Sequence, residues 1–355
     1  MPDALPPVSA VIASELTLTR DAKQAGKTKN ASALMRPVFL VGCPRSGTTL
    51  LRDLLRSHPS LTFPPESHFI PRFYRAFGDP VSDAQAWQLA RRILNTPRVA
   101  GYWRIHAAPA DFAGCRSFSS VTRRLFEIWA AQDGKPRWGD KTPHYVREIP
   151  LLLRLFPEAQ VIHIVRDGRD VALSWLRTRF EPRNLYVAAR LWREMVTRGR
   201  CDGALLPRGA YFETRYETLL ADPEATMRSV CEFLHESYQP EVLFPNRIPL
   251  QPGRVVLEPR TPALAAGIAR DHAGAWKSAM SLRQKTLFES VAGDLLGELG
   301  YPVEGLARTL PRAERWLREA DHQARFLLGT LWGLRKPAKR RAVLSFGWTM
   351  LRRKA

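Results

Sequence analysis

At 355 residues with 45% hydrophobic content, the chain can bury one large α/β core and still carry a charged surface, which excludes disorder throughout. Its 54 Lys and Arg against 34 Asp and Glu leave a formal charge of +20, so its natural partners are anions: nucleotides, nucleic acid, sulfated sugars or acidic lipid headgroups. The four cysteines, Cys43, Cys115, Cys201 and Cys231, are far apart, with no C-x-x-C pair and no His at ligand spacing, which argues against a zinc site or a disulfide framework and suits a reducing compartment. With no signal-like apolar region at the start and no run of about 18 uncharged apolar residues, the expectation is a cytoplasmic protein, soluble or peripheral at a membrane.

Residues 1–36 mix Pro, Ser, Thr, Lys and Asn with little periodicity and read as a flexible leader. Val38-Phe39-Leu40-Val41 is a short apolar strand opening into Gly42-Cys43-Pro44-Arg45-Ser46-Gly47-Thr48-Thr49, after which Leu50, Leu51, Leu54 and Leu55 recur at helical spacing. Residues 81–135 are helical in pattern and read as an insertion or cap over the site. An apolar-periodic helix is predicted from Val146 to Phe156, ended by Pro157. Val161-Ile162-His163-Ile164-Val165 is a buried-type strand, followed by a turn at Arg166-Asp167-Gly168-Arg169, with Asp170 as N-cap of the next helix. A third unit runs through Ala210-Tyr211-Phe212 into a helix introduced by Asp222-Pro223, with Met227, Val230, Cys231 and Leu234 as its buried stripe. Strands alternating with helices predict a three-layer αβα fold, P-loop-like, around a parallel sheet of about four or five strands, in a domain spanning residues 37–310.

Gly42 and Gly47 stand at the spacing of a phosphate-binding loop, in which curled backbone N–H groups and a helix N-terminus point at one anion. A nucleotide triphosphatase carries Lys and then Ser or Thr after the second glycine. Here that pair is Thr48-Thr49 and the strong cation is Arg45, inside the loop, which disfavours magnesium–ATP chemistry. Arginine offers a planar, permanently charged fork that grips oxyanions without a metal.

Pro44-Arg45-Ser46-Gly47-Thr48-Thr49 after a strand resembles the 5'-phosphosulfate loop of the sulfotransferases that use 3'-phosphoadenosine 5'-phosphosulfate (PAPS). Val165-Arg166-Asp167-Gly168-Arg169-Asp170-Val171-Ala172-Leu173-Ser174 is similar to the family's second motif, an Arg after a strand with a Ser eight residues later. Trp138-Gly139-Asp140-Lys141-Thr142-Pro143, and Arg215-Tyr216-Glu217 followed by Leu219-Leu220, agree with it. With Arg in the loop, the chain is more similar to the branch containing tyrosylprotein sulfotransferases and many bacterial enzymes.

The resemblance implies a donor, PAPS, released as adenosine 3',5'-bisphosphate, held by Pro44, Arg45, Ser46, Gly47, Thr48 and Thr49 at the 5' end and by Arg166 and Ser174 at the 3'-phosphate. Arg45 and Lys141 are the candidates for neutralising charge on the leaving oxygen without a metal. Glu66 matches the branch that uses a Glu base, and His68 is its rival because an unperturbed imidazole titrates near neutrality. The family's third donor segment departs at its front, Arg270-Asp271-His272, but keeps Gly274, Trp276 and Lys277, with Lys277 as a nucleotide contact. His144, His163 and Trp192 fit core packing and receive no role.

Residues 311–355 read as a basic amphipathic C-terminal tail; from Arg335 to Ala355 eight Lys or Arg and no acid interleave with Val343, Leu344, Phe346, Trp348, Met350 and Leu351, which suits either an amphipathic helix on an anionic membrane or a solvated tail. The rival readings are a P-loop phosphotransferase and a non-catalytic anion- or membrane-binding protein; no specific nucleic-acid module is recognisable. The acceptor, whether sugar, lipid, phenol, peptide or amine, is not legible in the sequence.

Overall fold

The computed structural model describes residues 36–178, 182–244 and 273–334. The leader to residue 35, the segment 270–272 and the basic tail 335–355 lie outside the described residues. Five strands, β1 (Val38–Gly42), β2 (Leu61–Thr62), β3 (Arg137–Lys141), β4 (Gln160–Val165) and β5 (Tyr211–Arg215), form one sheet in the order β2-β3-β1-β4-β5. Every pairing is parallel, with Val38 opposite Gly139 on one side and Gln160 on the other.

Helices cover both faces because both faces are apolar. Phe39, Val41, Val161 and Val165 point to one layer and Val38, Leu40, Ile162 and Ile164 to the other, all fully buried. Each such side chain contributes about 1.5–3 kcal/mol by leaving water. Near β1, helix α1 (Thr48–Arg56) lies on the second face. Helices α2 (Ile70–Phe77), α3 (Asp83–Leu94), α4 (Pro97–Tyr102) and α5 (Phe118–Gln132) fill the crossover between β2 and β3 on the first face, where Phe126 stacks on Trp138 at 4.4 Å. The first face is completed by α6 (Ile149–Leu155), α7 (Gly168–Leu176) and the long α8 (Leu185–Ala204). The second face takes α9 (Tyr216–Ala221) and α10 (Pro223–Leu234). The last described elements are α11 (Trp276–Ala279), α12 (Leu282–Glu298) and α13 (Arg312–Leu334).

In α10 the Asp222 carboxylate accepts the N–H of Ala225 at 2.9 Å, and Met227, Val230, Cys231 and Leu234 are buried, as the pattern predicts. Two local expectations change. The helix expected from Val146 starts at Ile149, after a separate 3-10 turn at Pro143–Arg147, because Pro150 lacks an N–H and would clash with the carbonyl of Val146. The N-cap of α7 is Asp167, which accepts from the N–H of Arg169 at 2.9 Å; Asp170 is already inside the first turn and its carboxylate is used elsewhere. Among the described residues no helix is long and apolar enough to cross a membrane.

Candidate active site

The carboxyl ends of β1, β3 and β4 meet where the strand order reverses, the position at which open parallel sheets leave a crevice. Gly42–Thr49 leaves β1 here. A Cβ on Gly42 would lie 2.5 Å from the carbonyl oxygen of Ile164, so only glycine lets the loop start against β4. Gly47 has φ +92° and abuts the Tyr216 ring, 2.2 Å from where a Cβ would stand. Arg45 itself is held at φ 75°, a conformation costly for a side-chain-bearing residue. The Ser46 hydroxyl is buried and has no hydrogen-bond partner among the described residues. An unsatisfied hydroxyl beside a helix N-terminus suits an oxyanion.

Opposite the loop, β3 ends on Lys141, whose ammonium donates to Glu66 Oε1 at 2.6 Å and to Thr49 Oγ1 at 3.4 Å while the side chain is 2% exposed. The other oxygen of Glu66 meets His68 Nε2 at 2.7 Å, and the His68 and His144 rings lie 6.3 Å apart. Burial alone would raise the Glu66 carboxyl; the His68 hydrogen bond and the charge and hydrogen bond of Lys141 outweigh it and hold the group at about 2. His144, whose side chain is exposed on one side, is lowered by partial desolvation against the neighbouring loop and by repulsion from His68 and Arg147.

A buried polar knot fixes this loop in place. Ser67 donates to Asp140 through its hydroxyl and to Thr142 Oγ1 through its N–H at 3.1 Å, and Thr142 donates to Asp140 at 2.8 Å. The Tyr145 hydroxyl lies 2.8 Å from Ser67 Oγ and accepts the N–H of Ile70 at 3.0 Å. Burial raises the Asp140 carboxyl from 3.8 to about 6, against the pull of the Ser67 and Thr142 hydrogen bonds. Because the folded-state value is raised, the folded chain keeps a proton the unfolded chain releases, and this residue's contribution to stability falls as pH rises through about 4 to 6. Asp140→Asn removes that component, so the melting temperature of wild type minus variant is expected to be larger at about pH 5 than at about pH 7.5; equal differences in differential scanning calorimetry would count against it.

The second motif reaches the same place from β4. Arg166 donates to the carbonyl of Arg45 at 3.2 Å and lies over the Tyr216 ring at 4.4 Å, so one aromatic ring supports both the loop and this guanidinium. Arg45 Nε donates to Ser174 Oγ at 3.0 Å, across 129 residues of chain. Asp170 accepts the N–H groups of Gly274 at 2.6 Å and Trp276 at 2.8 Å, and Arg169, paired in two hydrogen bonds with Asp167, lies 3.4 Å from the centre of the Trp276 ring. This ties the segment before α11 to the start of α7. Lys277 is exposed on α11. His163 and Trp192 lie in the core, with Trp192 donating to the Arg166 carbonyl at 3.0 Å, whereas His144, expected to pack in the core, is exposed beside His68 because it sits on the 3-10 turn after β3.

Thus Arg45, Glu66, Lys141, Arg166 and Ser174 are brought together, while the positioning by Asp140, Ser67, Tyr145, Asp170 and Tyr216 was not read as function from the sequence. Asp140, Asp170 and Tyr216 do stand inside the segments that carry the family resemblance. The polar chemistry of the crevice, three cations around a glycine loop with one buried, orphaned hydroxyl, fits an anionic nucleotide.

Residues 37–240 match the model of the Sulfotransferase family, and the chain belongs to that family. It is 26% identical over 214 residues to protein-tyrosine sulfotransferase A of Caenorhabditis elegans, 58% of this chain and 51% of that one. It is 33% identical over 151 residues to nodulation protein NoeE of Sinorhizobium fredii, 41% of this chain and 32% of that one. The chain thus spans about half or less of the length of these curated relatives. Among solved structures it resembles the sulfotransferase domain from the curacin biosynthetic pathway, with TM-score 0.53 and 25% identity over 76% of this chain and 99% of that one. A parallel-sheet likeness of TM-score 0.52 and 23% identity to the sulfotransferase domain of the Synechococcus PCC 7002 olefin synthase, covering 73% of this chain and 96% of that one, concerns the fold.

Proposed function

We propose that the chain transfers a sulfuryl group from PAPS to a hydroxyl or amine of an acceptor by in-line displacement without a metal ion. The observation that carries this reading is the junction of the two donor-type motifs, Arg45 Nε to Ser174 Oγ at 3.0 Å, beside the Lys141–Glu66 pair at 2.6 Å. In this reading the Gly42–Thr49 loop and the Ser46 hydroxyl hold the 5'-phosphosulfate, and Arg166 and Ser174 hold the 3'-phosphate. Lys277 closes from α11, whose entry segment Asp170 anchors. The cationic side chains of Arg45 and Lys141 take the part that magnesium plays where a lysine occupies the position of Thr48.

Lys141 has two anionic partners to choose between. With Glu66 held at about 2 by burial, His68 and Lys141, the carboxylate is ionised but weakly basic. When Lys141 turns towards negative charge at the leaving oxygen, it gives up part of its hold on Glu66, and burial, the largest influence on that group, raises its affinity for the acceptor's proton. The resting ion pair in this way links leaving-group stabilisation to proton removal.

The test is calorimetric binding of adenosine 3',5'-bisphosphate in the presence of a chelator, with ATP as competitor. Tight binding is expected in wild type and a loss of about 10- to 100-fold in Arg166→Ala, the worth of one or two charge-assisted hydrogen bonds. A chain that ignores this nucleotide but binds magnesium–ATP is a phosphotransferase instead. The relatives named as protein-tyrosine sulfotransferases make tyrosine-containing peptides the first acceptors to screen with labelled PAPS, ahead of sugars, phenols, lipids and amines.

A further inference from the structure

Helix α13, Arg312–Leu334, docks on the domain by one side and leaves a second apolar side in water. On the docked side Glu319 pairs with Arg190 at 2.8 Å, Asn184 donates to the Arg318 carbonyl at 2.7 Å and to Asp321 at 2.9 Å, and His322, 5% exposed, accepts the N–H of Arg183 at 3.2 Å. On the other side Trp316, Leu317, Leu327 and Leu328 are 69%, 59%, 59% and 66% exposed. At about 100° per residue these four, with Ala320 and Ala324 between them, fall within an arc of about 120°, a continuous stripe rather than scattered surface residues.

Beside the docked flank opens a cavity of ≈ 590 Å³ whose walls include Arg190, Arg193, Arg308 and Arg315. The first three pair with Glu319, Asp294 and Glu314, whereas Arg315 has no carboxylate partner among the described residues. Arg315 immediately precedes Trp316, so cationic and apolar groups occupy adjacent flanks of one helix. The helix leads in sequence into residues 335–355, with eight Lys or Arg and no acid.

We propose that α13 is an interfacial helix that seats the protein on an anionic phospholipid bilayer, its Trp316–Leu328 stripe entering the boundary between headgroups and acyl chains. The arginines of the adjoining cavity, Arg315 foremost, take lipid phosphate. Charge decides the occupant: a chain of +20 repels a second copy of itself and is drawn to an anionic surface. Aromatic and aliphatic groups on one side with cations beside them are the composition such a surface selects. The inference does not depend on the donor-site reading.

The full-length chain is sedimented at about 150 mM salt with vesicles of phosphatidylcholine alone or mixed with phosphatidylglycerol at about 3:1. Wild type is expected to partition at least about tenfold better onto the anionic vesicles. The double substitution Leu317→Glu with Leu328→Glu is expected to cut that partitioning at least about tenfold, and Arg315→Glu about three- to tenfold, with melting temperatures within a few degrees of wild type because all three side chains are exposed. No binding by wild type overturns the proposal. So does unchanged binding in the double variant, which would assign the contact to residues 335–355 alone. A wild-type dimer that the double variant dissociates would assign the stripe to a second copy and overturn it as well.

Discussion

Glu66→Gln is expected to lower kcat for sulfuryl transfer by about 10²- to 10⁴-fold while leaving the affinity for adenosine 3',5'-bisphosphate within about threefold of wild type. Glutamine keeps the shape of the side chain and a carbonyl oxygen for Lys141 but cannot accept the acceptor's proton. His68, which meets the free oxygen of Glu66 at 2.7 Å, orients that carboxylate in the proposed mechanism; His68→Gln is expected to cost only on the order of tenfold. The comparison uses labelled PAPS and the acceptor found by screening. The reverse order, with the His68 variant the more damaged, would move the base to the imidazole.

Lys141→Met is the second large effect, with kcat expected to fall by about 10²- to 10³-fold through loss of one preorganised cation at the leaving oxygen. Methionine fills a similar volume in a side-chain position that is 2% exposed, so the packing of β3 is preserved. The partner left behind, Glu66, is 22% exposed, and its charge stays partly hydrated, which keeps the stability cost below the ~3–5 kcal/mol of a fully buried pair. A pH signature separates this from simple damage. Glu66 stands at about 2 with Lys141 present; without it, burial is opposed by His68 alone and the carboxyl rises. A base must be unprotonated to work, so a raised value means activity is lost at higher pH as the solution is acidified. The acid limb of kcat/KM against pH is expected to move upward in Lys141→Met. An unmoved limb would separate Lys141 from the base and break the proposed link between the two groups.

The alternation of apolar strands with helices was enough to read β1, β4 and β5, the three-layer architecture and the glycine loop, because those features rest on local chain chemistry. Runs such as Val38–Val41 and Val161–Val165 are buried on both faces and advertise it in composition. The strand Arg137-Trp138-Gly139-Asp140-Lys141 gives no such sign. It is central and fully buried, yet three of its five residues are charged in their ordinary state, and it is tolerated only because distant partners satisfy them. Arg137 donates to Glu236 at 2.9 Å, Gln160 at 2.7 Å and the Leu234 carbonyl at 2.8 Å; Asp140 receives Ser67 and Thr142; Lys141 meets Glu66.

The site divides in the same way. By itself the amino-acid sequence determined which residue types are on hand for the proposed chemistry, since a glycine loop with Arg45 and an Arg166–Ser174 pair are spaced along single strand–loop–helix units. Only the tertiary structure decided who faces whom: Glu66 with Lys141 across 75 residues, Arg45 with Ser174 across 129, and Asp170 with the backbone of Gly274 across 104. Those pairings follow from the strand order β2-β3-β1-β4-β5, which brings the ends of non-consecutive strands side by side. The electrostatic consequences, a carboxyl held at about 2 at Glu66 and another raised to about 6 at Asp140, come from burial and from neighbours that no local spacing specifies.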